Sequence, residues 1–511
     1  MSAHPEGRRS LGIPIAQLVL ALGILCTNSP AEIKQAKGNL WPKQTESDLR
    51  ELGHLMRTRY IYGVYEGHPG YPDFDRTLVA AMTRARAEAA SAQSPLDYQF
   101  VIRHFLSSFD DPHISVDFNT SAASFQWPGF LAVYRGHQYR VAGSEVAEIK
   151  DGSIIGGCDS GTADDLVKRV AAISRGGAYD ESEKAWYAIS ALTFAGNRYQ
   201  KPPKTCRIDG KDITLVWREI NANSLLSKQT PYRPYRDEDY SIRRFGGDGA
   251  WVRLSFFEPE GAKAKAFSQV IAEAPTLRGK SIVVIDLRGN GGGPYEWFMG
   301  FLRSLYGQTF TDYYARERLK IQGVYLDIPE VKSVARGQQN RTPIPDDEKA
   351  PIDPLLQASE DKLTDYAARN GQHVQKSERI AAESREEPLG SPPPNLVQGT
   401  VVVITDNGSA SAVNSFLDEV KHFPNVVQVG TEPMPDRRSG SPVRYPLPSG
   451  NGAVLLPYMT RDYRTRDDNW EHVPAFHYDG DMRDTAALQN WILGLEGQLK
   501  DVSKCAPPST R

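Results

Sequence analysis

Cysteine is scarce in this chain of 511 residues, which contains only Cys26, Cys158, Cys206 and Cys505. Their spacing fits no zinc site. An excess of charge of one sign is also lacking. The formal net charge is −3 at pH 7, which indicates neither a nucleic acid nor an acidic membrane surface as a partner. Nothing in the sequence calls for a metal or an organic cofactor.

Long hydrophobic runs are absent beyond the N-terminus, so no later segment is long enough to span a bilayer. At the N-terminus, Arg8-Arg9 precedes an apolar stretch over residues 11–25, and the small residues Ser29-Pro30-Ala31 follow it. This layout is typical of a secretory signal peptide, and we predict one over residues 1–31. An uncleaved anchor is the alternative interpretation. The protein is therefore expected to be exported, either to the periplasm or out of the cell.

Export also bears on the cysteines, because Cys26 would leave with the signal peptide. An oxidising compartment permits a disulfide between Cys158 and Cys206, which fall in one predicted domain. Two buried free thiols are the alternative.

The length predicts two to four domains. Apolar residues recur at helical spacing over residues 46–109, and a β-rich pattern covers residues 124–220. From about residue 235 onward, strands alternate with helices, which predicts an α/β fold with a partly parallel sheet. Residues 308–398 are charged and Pro-rich and are interpreted as an insertion. That insertion is either a solvated flap or a lid over the site.

The stretch SIVVIDLRGNGGG, at residues 281–293, carries the most information. Its apolar, β-branched run Ile282–Ile285 is typical of a strand buried on both faces. The glycines that follow leave backbone N–H groups without a Cβ to block close approach, which favours an anion or oxyanion site. They fit neither the GxGxxG pattern nor the Gly-Lys-Ser/Thr ending of a phosphate loop, which argues against a nucleotide-binding protein.

A second buried strand is predicted at residues 400–405. Ser411 follows it, at the predicted boundary between this strand and a helix. A hydroxyl at such a corner can be exposed, and the helix N-terminus favours negative charge beside it. A serine at this corner together with a glycine-lined oxyanion site indicates acyl-transfer chemistry.

A serine nucleophile needs a base, and ten histidines compete for that role. His113 stands out because it follows Asp110-Asp111-Pro112 at the end of a helical segment. Side chains at such a boundary can point into a cleft. His472 and His477 are the next candidates.

Three motifs together resemble the C-terminal-processing (tail-specific) serine peptidases: IDLRGNGGG at 285–293, GSASA at 408–412 and DDPH at 110–113. The resemblance covers most of residues 45–500. It implies a crotonase-like α/β catalytic core, and residues 124–220 are similar to the PDZ-like module that many members carry.

The resemblance divides the chain after the signal peptide into three domains. These are an N-terminal helical domain at 32–120, a PDZ-like module at 121–225 and a catalytic domain at 226–505, which includes the insertion. It implies that the protein is a serine endopeptidase without a cofactor, whose substrates are exported peptides or proteins.

The resemblance also implies that Ser411 is the nucleophile. The oxyanion hole would then combine the N–H of Ala412 with that of Gly291 or Gly292. Many members use a lysine base about 25 residues beyond the serine, but this chain has Arg437 and Arg438 there, and arginine stays protonated.

The branch that resembles the tricorn core and the nisin-resistance proteases uses a histidine in an Asp-x-His context instead. His113 matches that context and is the predicted base. Glu471, Asp111 and Glu432 are all candidates for the residue that orients it. A catalytically inactive relative that binds peptides and acts as an envelope interaction protein is the alternative function.

We predict that residues 1 to about 31 are removed on export. N-terminal sequencing of the exported protein should find no residue of the apolar stretch. A mature chain that still contains Leu11 would show that the segment is an uncleaved anchor.

Overall fold

The computed structural model describes residues 40–64, 71–174, 180–237, 239–314, 323–326, 374–377, 391–461, 464, 466–495, 497–499 and 501. The predicted signal peptide and most of the predicted insertion lie outside these residues. No helix among the described residues is long and apolar enough to cross a membrane. The architecture is mixed α/β, as the sequence predicts.

Four helices open the described chain, and they are α1 (Trp41–Thr58), α2 (Ile61–Val64), α3 (Phe74–Ala89) and α4 (Pro95–Ser107). The apolar residues of α1 recur at helical spacing, so Leu49, Leu52 and Met56 lie fully buried on one face. Helix α4 begins at a proline and is capped by Ser94, whose hydroxyl accepts from the Asp97 N–H. Its end delivers the chain to Asp110-Asp111-Pro112-His113.

Residues 124–229 contain several short strands, in the region where the sequence predicts a β-rich pattern at 124–220. Strand β1 (Ser115–Phe118) precedes it. The elements of this region are β2 (Ser124–Trp127), β3 (Leu131–Arg135), β4 (Gln138–Ala142), β5 (Ile155–Cys158), α5 (Ala163–Ala171), α6 (Glu181–Ala188), β6 (Thr205–Ile208), β7 (Lys211–Thr214), β8 (Arg218–Asn221) and α7 (Ala222–Gln229). Its strands pair as β2–β8, β3–β4 and β5–β6–β7. A disulfide joins Cys158 of β5 to Cys206 of β6, so the free-thiol alternative does not hold.

The remaining described elements belong to the predicted catalytic region. They are β9 (Tyr240–Phe245), β10 (Gly249–Leu254), α8 (Ala262–Glu273), β11 (Ile282–Asp286), α9 (Tyr295–Tyr306), α10 (Gln308–Tyr314), β12 (Gly323–Leu326), β13 (Val374–Ser377), β14 (Thr400–Thr405), α11 (Ala412–Val420), β15 (Val426–Gly430), β16 (Ser439–Pro446), β17 (Gly452–Arg461), β18 (Phe476–His477) and α12 (Thr485–Gly494).

A six-stranded sheet in the order β18-β15-β14-β11-β10-β9 forms the centre of this region. All neighbouring strands run parallel except β9, which is antiparallel to β10. Strands β11 and β14 are buried along their whole length, as their unbroken apolar runs predict. They are parallel neighbours in the sheet, so their carboxyl ends, and the loops that follow, meet at one edge.

A second, antiparallel sheet pairs β1, from the N-terminal part of the chain, with strands that come much later in the sequence. Strand β1 pairs with β17, and β17 also pairs with β16 and β12. Side chains of this sheet, including Val454 and Leu456, share one apolar core with the N-terminal helices. The helices predicted as a separate domain at 32–120 therefore pack directly on strands from the predicted catalytic domain. This packing fixes the position of His113, which lies just before β1.

Asp436 lies fully buried on the segment between β15 and β16, where three arginines surround its carboxylate. Arg464 and Arg466 donate to its Oδ1 at 2.8 and 2.6 Å, and Arg461 donates to its Oδ2 at 3.0 Å. Burial alone would raise the pKa of Asp436, but the three guanidinium groups hold that pKa well below its ordinary value. The cluster fixes the backbone next to the predicted site, because Arg461 also donates to the carbonyl of Ser439.

Removing the Asp436 carboxylate should be strongly destabilising. We expect Asp436→Ala to lower the free energy of unfolding by about 3–5 kcal/mol at neutral pH, since it removes the carboxylate that Arg461 pairs with and one of the two carboxylates beside each of Arg464 and Arg466. Because the folded-state pKa is depressed, the contribution is present above the unfolded pKa of about 3.9 and is lost as the pH falls through the folded-state value. Urea unfolding of both proteins between pH 4 and 8 measures the difference, and equal midpoints would contradict the expectation.

Candidate active site

Ser411 lies at the turn between β14 and α11, as the sequence predicts. Its backbone has φ 53° and ψ −109°, in a region that residues other than glycine rarely occupy. Such a conformation costs of order 1–3 kcal/mol and persists only where the surrounding structure enforces it. The turn leaves Ser411 partly exposed at the N-terminus of α11, although the serine that precedes it, Ser409, is fully buried.

The glycine loop after β11 packs directly against this turn. A Cβ on Gly292 would lie 2.8 Å from both the Cβ of Ser411 and the backbone N of Ala412. Gly292 also has φ +105°, which disfavours any side chain. Glycine is therefore required at this position by space as well as by conformation.

The N–H groups of the two loops have different partners. The Gly292 N–H donates to Asn290 Oδ1 at 2.9 Å, so it is already used within its own loop. Among the described residues, no hydrogen bond engages the N–H of Gly291 or that of Ala412. Of the two glycines predicted as alternative oxyanion donors, Gly291 has the open N–H, and Gly292 contributes by its small size.

The side chain of His113 lies beside that of Ser411. Its Nε2 lies 3.2 Å from Ser411 Oγ, although the two residues are 298 positions apart. The imidazole is almost completely buried, with 2 % of its surface exposed. The structure thus brings the predicted nucleophile and the predicted base within hydrogen-bonding distance.

Two buried residues contact the other ring nitrogen of His113. Asp111 Oδ1 lies 3.6 Å from Nδ1 and accepts the His113 backbone N–H at 2.9 Å, and Ser439 Oγ lies 3.5 Å from Nδ1. Tyr60 donates its hydroxyl to Asp111 Oδ2 at 2.9 Å. Burial alone would raise the pKa of Asp111, but its hydrogen bonds with His113 and Ser439 lower it overall, so the carboxylate is ionised beside the ring.

The other candidates for orienting His113 have different partners. Glu432 Oε2 lies 3.5 Å from His477 Nε2, and Glu471 accepts the Glu181 N–H at 3.2 Å. Burial, together with Asp180 and Glu432, raises the pKa of Glu471 to about 7. Of the three predicted carboxylates, Asp111 is the one that the structure brings to His113.

The other two candidate histidines, His472 and His477, also have partners away from Ser411. His472 Nε2 lies 3.5 Å from Asp418 Oδ1, and burial lowers its pKa to about 4. His477 interacts with Glu432 and with Asp479, and its hydrogen bond to Glu432 raises its pKa.

The two arginines at the position of the family's lysine are held in ion pairs. Arg437 lies 3.3 Å from Asp110 Oδ2, and Arg438 lies 4.0 Å from Asp468 Oδ1. Burial alone would lower the pKa of Arg437, but interactions with Tyr60, Asp110 and Asp111 raise it overall. Arg437 therefore keeps its proton and supplies positive charge rather than a base.

Sequence reasoning did not identify Tyr60 or Ser439 as neighbours of the histidine. Tyr60 belongs to an apolar helical region and Ser439 to a strand, and neither carries a local signal of its role.

Within the described residues, no group of three or more histidine, cysteine, aspartate or glutamate side chains could hold a metal ion.

Comparisons with known proteins show a family match over part of the chain and a similar fold. Residues 248–479 match the model of peptidase family S41. The crystal structure of mature CPAF aligns with 90% of this chain and 98% of its own, at 13% identity and a TM-score of 0.58. A complex of mature CPAF with lactacystin covers 91% of this chain and 98% of its own, at 13% identity and a TM-score of 0.57. At such identities the likeness shows the fold alone.

More distant structures include the photosystem II D1 C-terminal processing protease. It covers 87% of this chain and 94% of its own, at 13% identity and a TM-score of 0.28. A search of curated protein sequences found no match.

The region that matches the family model contains both the glycine loop after β11 and the Ser411 turn. The family resemblance predicted from the sequence is confirmed over residues 248–479, which match peptidase family S41 and so support a serine peptidase, and hence a hydrolase, in general.

Proposed function

We propose that this protein is an exported serine endopeptidase that cleaves peptides or proteins through an acyl-enzyme on Ser411. The observation that carries the proposal is the 3.2 Å approach of His113 Nε2 to Ser411 Oγ. A nucleophile within hydrogen-bonding reach of a base, with a further group on the other side of that base, is the arrangement that activates a serine.

In the acylation step, His113 Nε2 takes the proton from Ser411 Oγ as the oxygen attacks the peptide carbonyl. The N–H groups of Gly291 and Ala412 hold the negative charge that develops on the carbonyl oxygen. His113 then returns the proton to the leaving amine. In the second step a water molecule, activated by the same imidazole, releases the acyl group and regenerates the serine.

Asp111 supports this cycle in its ionised form. A carboxylate beside Nδ1 favours the tautomer in which Nε2 is free to accept a proton, and it stabilises the imidazolium that forms. The Tyr60 hydroxyl holds the second oxygen of the same carboxylate. Asp111 is thus the proposed orienting residue.

The proposed location and domain types rest on separate observations. The predicted signal peptide supports export, and so does the Cys158–Cys206 disulfide, since such bonds persist in oxidising compartments. The parallel sheet with its two loop-bearing strands supports a crotonase-like core. The three small sheets of residues 124–221 support a PDZ-like module.

Ser411→Ala should abolish peptide hydrolysis and leave the fold intact, because the replaced hydroxyl is partly exposed and contributes little to stability. Digestion of a peptide library by the mature protein, with circular dichroism as a folding check, measures both effects. Ser268→Ala, at a partly buried serine of α8 whose hydroxyl donates to the carbonyl of Ala264 in the same helix, is the matched control and should stay active. Lactacystin or a fluorophosphonate probe should label the wild-type protein but not Ser411→Ala.

A mutant that cuts peptides at the wild-type rate would show that Ser411 is not the nucleophile. A folded wild-type protein that neither cuts the library nor reacts with either probe would favour the inactive peptide-binding relative instead.

His113→Ala should lower kcat nearly as far as Ser411→Ala does, because residues that act as a unit are not additive. The double mutant should then be scarcely slower than either single mutant. His472→Ala and His477→Ala are the controls. Near-full activity in His113→Ala with loss in either control would reassign the base.

A further inference from the structure

The two loops that build the proposed site are tied together by hydrogen bonds that do not involve substrate. Ser409 Oγ lies 2.8 Å from the carbonyl oxygen of Leu287, and the Ala410 N–H donates to the carbonyl of Asn290 at 2.9 Å. These contacts join the turn that carries Ser411 to the loop that carries Gly291. The position of the nucleophile relative to the oxyanion donor depends on them.

Asp406 lies at the centre of this junction. It directly follows β14 and is fully buried. Its Oδ1 accepts the Gly289 N–H at 2.7 Å and the Gly408 N–H at 3.0 Å. One oxygen atom therefore holds a backbone N–H from each of the two loops, and the side-chain oxygen of Ser409 lies 3.1 Å from the same atom.

The second oxygen of Asp406 has a different environment. Oδ2 is buried, and no hydrogen-bond donor contacts it in the part of the chain that the structure describes. Burial raises the pKa of Asp406, although the bonds from Gly289 and Gly408 and the charge of Arg288 oppose the rise. The N–H groups of Gly289 and Gly408 therefore require a hydrogen-bond acceptor at Oδ1, whereas burial disfavours a negative charge on Asp406.

We propose that Asp406 is a positioning residue, whose Oδ1 binds the N–H groups of Gly289 and Gly408 and so keeps the Gly291 loop and the Ser411 turn in the geometry needed for the oxyanion. This inference rests on the function proposed above. The side chain touches neither substrate nor the reacting atoms and acts through Gly289 and Gly408. A donor displaced by about 1 Å can cost about 10²-fold in rate, so a carboxylate remote from the chemistry can still control kcat.

Two substitutions separate the position of the acceptor from its charge. Asp406→Asn keeps an oxygen at the Oδ1 position and removes the charge, whereas Asp406→Glu keeps the charge and displaces the oxygens by one methylene group. We expect Asp406→Glu to lower kcat by about 10²-fold with KM little changed, because transition-state contacts are lost without loss of ground-state binding. Asp406→Asn should retain most of kcat.

Asp97 offers a matched control for buried carboxylates. It is buried at the N-terminus of α4, where it also accepts two backbone N–H groups, from Gln93 at 2.9 Å and from Arg198 at 2.8 Å. Asp97→Glu should lower thermal stability as Asp406→Glu does and leave kcat unchanged. All assays are run well below the melting temperature of each variant.

Backbone hydrogen exchange adds a readout that does not depend on activity. Exchange at Gly289 and Gly408 should become faster in Asp406→Glu but not in Asp406→Asn or Asp97→Glu. Unchanged exchange at both glycines in Asp406→Glu, an unchanged kcat, or equal loss of kcat in Asp406→Asn and Asp406→Glu would each overturn the proposal. A Ser411→Ala protein that remains active would instead reject the proposed function, and the exchange data would still decide whether Asp406 ties the loops.

Discussion

The close approach of two backbone loops at Gly292 is the constraint on which the proposed site depends. Strands β11 and β14 are hydrogen-bonded neighbours that run in the same direction, so their loops must emerge side by side. Only a residue without a side chain fits at 2.8 Å from the Cβ of Ser411. Because the loops touch, Ala412 lies beside the glycine loop, where the proposed oxyanion hole would form. The strained backbone of Ser411 is held by this same contact.

The proposed base comes from a different part of the fold. His113 lies between α4 and β1, and β1 is held by β17 at the opposite end of the chain. The Asp436 cluster fixes the segment that leads into β16, and Ser439 at the start of β16 touches the imidazole. The serine–histidine distance therefore depends on the docking of the N-terminal helices onto the C-terminal sheet. Activity should be sensitive to the packing of this shared core, even though the core contains no reacting group.

Much of the catalytic half of the fold could be predicted from local sequence. The unbroken apolar runs of β11 and β14 identify buried parallel strands, and the glycines and serines that follow identify the corners. His113 could be singled out because its motif ends a helix. The pairing of β1 with β17 could not be predicted, since it joins segments more than 300 residues apart and neither strand carries a pairing signal. For the same reason the division into separate helical and catalytic domains missed their common core.

The details of the site that could not be predicted from the sequence depend on contacts between side chains of different loops. Whether Gly291 or Gly292 has the open N–H depends on Asn290, whose side chain takes one of them. Asp111 was one of three carboxylates, and only the fold places Glu432 and Glu471 on other partners.

The arginine at position 437 illustrates how charge decides the chemistry. A lysine there could lose its proton under strong burial, but an arginine cannot, and Asp110 and Asp111 favour its charged form further. A fixed cation beside an ionised Asp111 balances the buried charge without supplying a base. In the proposed mechanism the proton from Ser411 therefore goes to another group, and His113, whose Nε2 lies 3.2 Å from Ser411 Oγ, is the group in position to take it.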